Sequence, residues 1–356
     1  DLNVTRLTQQ DLAWADYVFI SAMIVQREAA RTLRSLSRSY QVGIDDLDYE
    51  VLVIDNGSPE GRALDREFVE SFGAEFVFHD LAGESTPSPT TALNHGIAHA
   101  EGEVIGLMVD GAHVLTPGVI ANAMVGMRGY APAAVATQVW HLGPGQQSEA
   151  MAAGYDQAVE DRLMDVIEWP TDGYKLFDIG HFQADRDWLE GMWESNCLFV
   201  SRASLRQVGG FDDSFDEAGG GYCNLEIFER VCGAPDITMV TLIGEASFHQ
   251  VHGGTTTNQP SPEERFARIQ AYAARYEELR GRPLSGPRKI VHYVGNIRSN
   301  SRRSKARRLA SRRFFRRGRP GDPEGPPSAP MQIPDDLAEE YVDAYWASGA
   351  LDETTW

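Results

Sequence analysis

The sequence predicts an α/β protein built on a mostly parallel sheet, and three observations carry that prediction. Short apolar runs rich in β-branched and aromatic residues alternate with helix-spaced segments at least four times in the first half of the chain. The connections between them are short, as in sheets covered by helices on both faces. Three of the runs end in polar residues, Ser21, Asp55 and Asp110, at the carboxyl edge where such sheets bind ligands.

The elements follow in order. Thr8-Gln9-Gln10-Asp11 opens a short helix with Leu12, Ala13 and Trp14 facing inward. Tyr17–Ala22 reads as the first strand, and residues 27–38 as a helix carrying Ala30, Leu33 and Leu36 at helical spacing. Tyr49–Ser58 is a second strand running into Asp-Asn-Gly-Ser. Leu64, Phe68, Val69 and Phe72 mark a helix that Gly73 stops. Phe76–Phe78 is a third strand, and residues 89–100 form a helix carrying Leu93, Asn94, Ile97 and Ala98. Val104–Val109 is a buried strand that delivers Asp110, with Gly111, Ala112 and His113 behind it. Thr116 and Pro117 then suggest a helix start, Thr as N-cap and Pro at the first helical position.

The second half is less regular. Ala133–Thr137 is an apolar run, followed by a glycine-rich turn at 142–145 and a helix through 147–167. Trp193–Val200 and the glycine clusters between Gly209 and Glu226 stand out, because glycine lets backbone approach a ligand or form a mobile lid. His249 and His252 are three apart. On a helix they would share a face and on an extended segment they would point oppositely, so one of them at most serves a site. An amphipathic helix over 261–280 carries Phe266, Ile269, Tyr272, Ala273 and Tyr276 and ends at Gly281-Arg282-Pro283-Leu284. Three units are therefore expected: a main domain over 1–285, a basic flexible linker over 286–330, and a helical tail over 331–356.

The totals exclude several classes. The chain has 356 residues and a formal net charge of −20, yet thirteen Lys or Arg and no acid lie between Arg288 and Arg319. The remaining 19 bases face all 52 acids, so one basic segment stands against an acidic body. Its arginines at 298–319, with Leu309, Phe314 and Phe315, suit either a helix lying on anionic lipid or a solvated linker pairing with the acidic body. Nothing else in the chain resembles a base-reading module, so nucleic acid is not the expected partner. Cys197, Cys223 and Cys232 are scattered and odd in number, the usage of a reduced cytoplasmic protein. No apolar run approaches ~20 residues, and the stretch after Asp1 lacks a signal-peptide pattern.

Six motifs, in order, resemble those of family 2 glycosyltransferases with the GT-A fold, over about residues 15–280. They are Tyr49–Ser58, Ala92-Leu93-Asn94-His95-Gly96-Ile97, Asp110-Gly111-Ala112, Val208–Asp213, Cys223-Asn224-Leu225-Glu226-Ile227, and His252-Gly253-Gly254-Thr255. The resemblance implies a nucleotide-sugar donor, and an acceptor that is a saccharide or is lipid-linked. It assigns Ser21, Asp55, Asn56, Asn94 and Asp110 to the donor, Asp110 and His252 to Mg²⁺ or Mn²⁺, and Glu226 with Asp110 to catalysis. Trp193, Glu194 and Asn196 fall on the acceptor side. Three departures stand out. The first strand runs into Ser21-Ala22-Met23-Ile24 where the family has Pro-x-Tyr-Asn, Asp-x-Asp is Asp-Gly-Ala, and the Glu-Asp pair is Cys223-Asn224. The implied reaction is an inverting, metal-assisted transfer. The alternative these departures keep open is a degenerate domain that binds nucleotide or saccharide as a scaffold.

Overall fold

The computed structural model describes residues 17–22, 26–58, 63–109, 111–152, 154–183, 192–252 and 262–296, the side chains of 17–22, 26 and 262 excepted. Asp110, the helix expected near residue 8, the basic segment 298–319 and the tail 331–356 lie outside the described residues.

The first half alternates as predicted. β1 (Tyr17–Ala22) leads to α1 (Gln26–Leu36), β2 (Tyr49–Asp55) to α2 (Arg66–Glu70), and β3 (Phe76–Asp80) to α3 (Thr90–His99). β4 (Val104–Met108), β5 (His113–Leu115) and α4 (Val119–Gly129) follow. Then come β6 (Ala133–Leu142), α5 (Gln147–Ala152), α6 (Gln157–Val166), α7 (Leu176–Ile179) and β7 (Gly180–Phe182). The last elements are β8 (Leu198–Ser201), α8 (Arg202–Val208), α9 (Cys223–Gly233), β9 (Thr238–His249), α10 (Pro262–Arg280) and β10 (Val291–Gly295).

All ten strands form one sheet in the order β10-β9-β6-β8-β4-β1-β2-β3, with β5 on β9 and β7 on β6. β3, β2, β1 and β4 are mutually parallel, and β8 enters antiparallel between β4 and β6. Both faces are buried, as a parallel sheet requires. Along β2, Val51 and Val53 join the apolar layer under α1 and α4, whereas Leu52 and Ile54 join the layer under α3 and α9. β4 divides in the same way, with Val104 and Met108 on one side and Ile105 and Leu107 on the other. A third apolar cluster, around Tyr155, Leu163 and Phe248, holds α5, α6 and α7 against the end of β9.

Three expectations change. Thr116 does not cap α4. It is fully buried, its hydroxyl donates to Glu245, and the Glu245 carboxylate itself accepts from Gly118 N–H at 3.1 Å. A long-range acid has replaced the local cap, because His113–Leu115 is drawn into pairing with β9. The helix expected over 147–167 is two helices, since Asp156 caps α6 by accepting from Val159 N–H at 2.8 Å. The ordered fold also runs past 285. Arg282 and Ser285 bind Glu229, Lys289 Nζ donates to the Ile237 carbonyl at 2.6 Å, and β10 then pairs parallel with β9. Burial pushes the Glu229 carboxyl up, but donors from Arg282, Tyr276 and Ser285 outweigh it and hold the group down to about 2. Among the described residues, no helix is long and apolar enough to cross a membrane.

Candidate functional site

The parallel strands bring their carboxyl ends to one edge. β1 ends at Ala22, β2 at Asp55 and β4 just before Asp110. Because β8 runs the other way, the segment that precedes it, residues 192–197, reaches the same edge. Ser21 stands in register with Val53 and Met108 at that level. Asp110 itself is outside the described residues, but the chain is fixed on its far side. Thr32 Oγ1 donates to the Gly111 carbonyl at 2.5 Å, and Gln250 N–H donates to the Ala112 carbonyl at 2.8 Å.

The residues expected on the donor side shape loops. Asp55 is buried, and its two oxygens accept from Ser58 N–H at 2.7 Å and Leu64 N–H at 3.3 Å. Asn56 Nδ2 donates to the carbonyls of Thr86 at 2.8 Å and Ser88 at 3.2 Å, tying the loop after β2 to the loop before α3. Asn94, on α3, exchanges two hydrogen bonds with the Phe211 backbone, both at 2.9 Å, and donates to Asp213 at 3.2 Å. That pairing fixes the Gly-Gly-Phe-Asp turn against the first half of the fold. Gly209 and Gly210 take positive φ values of 90° and 71° in the same turn, a conformation that glycine adopts without strain.

A row of imidazoles begins at His113, three residues after Asp110 in the chain. His113 pairs with His249 across β5 and β9, His249 with His141 across β9 and β6, and His141 with His181 across β6 and β7. Opposed residues in a sheet share a face, so four strands present four histidines side by side. The His113 and His249 ring centroids are 4.8 Å apart, and His249 Nε2 meets His252 Nε2 at 3.1 Å. Burial, with the neighbouring His181, His113 and Arg265 adding to it, drives His141 down to about 3, so its ring is neutral. Neither ring nitrogen of His141 has a hydrogen-bond partner among the described residues. Neutral imidazole is the metal-binding form. Among the described residues themselves, no three His, Cys, Asp or Glu groups converge to hold a metal ion.

The end of β9 is anchored from below. Val251 N–H donates to Glu160 at 2.7 Å, and Glu160 in turn binds Arg27 and Arg31 at 3.2 and 3.1 Å. Arg27 also reaches Asp161 at 2.5 Å. The start of α1, α6 and the residue preceding His252 are therefore tied together.

On the acceptor side, the buried Ser195 hydroxyl donates to the carbonyls of Thr137 at 3.0 Å and Cys197 at 2.8 Å. Ser195 is turned inward, and Glu194 and Asn196 on either side of it are half-buried. Both meet Asn224 from the first turn of α9, whose Nδ2 stands 3.3 Å from Glu194 Oε2 and 3.5 Å from Asn196 Oδ1. Glu194 Oε1 also accepts from Gln183 Nε2 at 3.1 Å. Trp193 packs its indole on Gly286, where an added Cβ would stand 3.4 Å from the ring. Glu226 is nearly fully buried. Arg230 and Arg280 hold both of its oxygens, with contacts down to 2.6 Å, at the floor of an open cleft of about 710 Å³ lined by Gly209, Gly210, Asp213 and the two arginines. Arg280 also binds Asp212 at 2.7 Å.

Residues 17–146 match the family model described as glycosyl transferase family 2. The likeness to glycosyl transferase family 2 therefore lies in the first half of the chain. Among solved structures the chain is similar to S. aureus TarS, at 15% identity and a TM-score of 0.44, over 74% of this chain and 40% of that one. It is similar to TarS 1–349 in complex with UDP-GlcNAc, at 14% identity and a TM-score of 0.45, over 74% and 66% of the two chains. It is also similar to the mannosyltransferase PcManGT from Pyrobaculum calidifontis, in complex with GDP-Man and Mn²⁺, at 13% identity and a TM-score of 0.41, over 96% and 87%. The chain thus spans less than half the length of the longer TarS chain. No curated protein matches the sequence.

The matched segment contains Ser21, Asp55, Asn56, Asn94, Asp110 and His113, whereas Glu194, Glu226, His249 and His252 lie beyond it. His141 and His181 had no role in the sequence reading, which considered His249 only as the alternative to His252, because strand pairing alone aligns the row. Asn224 was noted there as a departure from the Glu-Asp pair, and the fold makes it the link between α9 and the 193–197 segment.

Proposed function

We propose that the protein is a glycosyltransferase that moves a sugar from a nucleotide-sugar donor to a saccharide or lipid-linked acceptor, by a single inverting displacement assisted by a divalent metal. The observation that carries this reading is the family 2 match over 17–146, whose fourth strand ends just before Asp110. In this reading the loops held by Asp55, Asn56 and Asn94 receive the nucleoside, and Ser21 lines the same edge. Asp110 and His252 would hold Mg²⁺ or Mn²⁺ at the end of the histidine row. Bound there, the ion would neutralise the charge that grows on the departing diphosphate. Trp193, Glu194 and Asn196 face the acceptor, whose hydroxyl must surrender a proton to a nearby carboxylate. The arginines at 298–319 would hold the protein to the cytoplasmic face of an anionic membrane, where a lipid-linked acceptor lies.

A second reading is a nucleotide- or saccharide-binding scaffold. It is favoured by the buried Cys223 and the arginine-held Glu226, at the positions where the family has carboxylates for catalysis. One experiment separates the two. UDP and GDP are titrated with and without Mn²⁺, and nucleotide release is followed from a panel of UDP- and GDP-sugars. Metal-dependent binding with turnover that Asp110→Ala abolishes supports the transferase. Binding with no turnover from any donor supports the scaffold.

A further inference from the structure

β3 and α3 carry a second group of histidines, none of them in the row on β5, β9, β6 and β7. His95 and His99 lie one helical turn apart, and their rings stack with centroids 3.9 Å apart and planes 24° apart. His79, on β3, closes the group. Its Nδ1 meets His95 Nε2 at 2.9 Å, and its ring centroid lies 5.1 Å from that of His95 and 5.4 Å from that of His99. β3 is the last strand in the sheet order, whereas α3 lies over β1 and β2. The His79–His95 bond therefore reaches from the helix out to the edge strand. His95 also follows Asn94, whose side chain exchanges two hydrogen bonds with the Phe211 backbone, both at 2.9 Å. What moves this part of α3 moves the Gly-Gly-Phe-Asp turn.

We propose that His79, His95 and His99 form an acid-sensitive clasp between β3 and α3, which opens below neutral pH and loosens the Gly-Gly-Phe-Asp turn through Asn94. In the bond between His79 and His95, one nitrogen donates and the other accepts. Once both rings are protonated, each facing nitrogen carries a hydrogen, and the bond cannot form. The clasp thus survives one proton on this pair and not two. The other groups around it add to the repulsion. His99 lies against both rings, and Arg66 on α2 faces His79 while binding Glu70 at 2.7 Å. Ile54, opposite His79 on β2, brings no charge, and Glu84, in the turn after β3, favours the charged form of His95. Burial lowers His79 and His95 below the ordinary 6.5, and the neighbouring imidazoles lower both further. The unfolded chain therefore takes up these protons first. The clasp contributes its full stability above pH 6.5 and loses it as the pH falls below that value. Its consequence for catalysis rests on the glycosyltransferase reading, in which Asn94 helps to receive the nucleoside; the clasp itself does not.

The test is hydrogen exchange on the full chain at pH 8 and pH 5.5, corrected for the intrinsic pH dependence of exchange. Protection of residues 90–99 and 208–213 is compared with that of α4, which carries no histidine. Acid is expected to lower protection of both segments by about tenfold relative to α4, the mark of a local opening. His99→Gln removes an exposed charge from beside His95 and is expected to move the transition to lower pH. The double variant His79→Gln, His95→Gln, whose amides can still pair but do not titrate, is expected to abolish it. Equal relative protection of α3 at the two pH values in the wild type would overturn the clasp without any variant. So would an acid loss that persists unchanged in His99→Gln or in a folded double variant. No donor is needed, so failure of the glycosyltransferase reading shows separately, as nucleotide release from no donor in the panel.

Discussion

The hydroxyl of Thr116 donates to the carboxylate of Glu245 at 2.5 Å, joining residues 129 positions apart in the chain. The same carboxylate accepts from Gly118 N–H at 3.1 Å, Tyr174 Oη at 2.8 Å and Asn122 Nδ2 at 3.4 Å. An acid on β9 thus helps to cap α4, together with Gln41, whose side-chain oxygen accepts from Ile120 N–H at 3.3 Å. Glu245→Ala would leave several buried donors without their acceptor. Hydrogen bonds to a charged group contribute about 1.5–3 kcal/mol each and are not additive, so a loss of roughly 3 kcal/mol is expected. Glu245→Gln keeps the shape and should cost less. Denaturant unfolding of the two variants beside the wild type measures both, and equal stability of all three would mean that α4 is capped by something else.

His141 makes a pH prediction. Its ring is held down to about 3 by burial and by its neighbours, against an ordinary value of 6.5. Below pH 6.5 the unfolded chain takes up a proton there that the folded chain refuses until about pH 3. Stability therefore falls as pH drops through this window, by about 1.4 kcal/mol per unit from this residue. His141→Gln removes that dependence. Whatever the variant costs at pH 8, its disadvantage should shrink by roughly 3 kcal/mol at pH 4. Unfolding free energies at the two pH values test it, and parallel pH curves for the two proteins would contradict the buried neutral ring.

How far the sequence could be read is clearest where these residues sit. β2 and β4 were legible because buried parallel strands are apolar on both faces, and Asp55 marks the end of β2 within the same short run. The histidine row was not, since His113, His141, His181 and His249 are separated by up to 136 positions and only the pairing of four strands aligns them. The Asn224 link to Glu194 crosses 30 residues and two elements. Thr116 was misread for the opposite reason. Its local pattern was a good cap, but a buried acid from β9 outbids a serviceable local signal when the backbone before it is pulled into a strand.

All three cysteines are fully buried, and burial pushes their thiols up, Cys223 to about 12, with Cys197 and Cys232 also well above the usual range. The thiolate is the reactive form. The native protein should therefore show no reaction with a disulfide titrant at pH 8 over minutes, and three thiols should appear on adding denaturant. Rapid labelling of one thiol in the native state would mean that the α9 region, which carries Cys223 and Cys232, opens readily.

The donor site can be probed through His252, whose Nε2 meets that of His249 at 3.1 Å, one residue beyond the Val251 N–H that Glu160 holds. If these imidazoles serve a metal beside Asp110, His252→Ala should weaken UDP or GDP binding in Mn²⁺ by about 10–100-fold, the range typical for losing part of a metal's coordination and support. Affinity measured in EDTA should hardly change, because the diphosphate is then bound by protein groups alone. Calorimetric titrations of wild type and variant, each with Mn²⁺ and with EDTA, separate the cases. An equal loss under both conditions would make His252 a direct partner of the nucleotide, and no loss under either would move the metal site away from the end of β9.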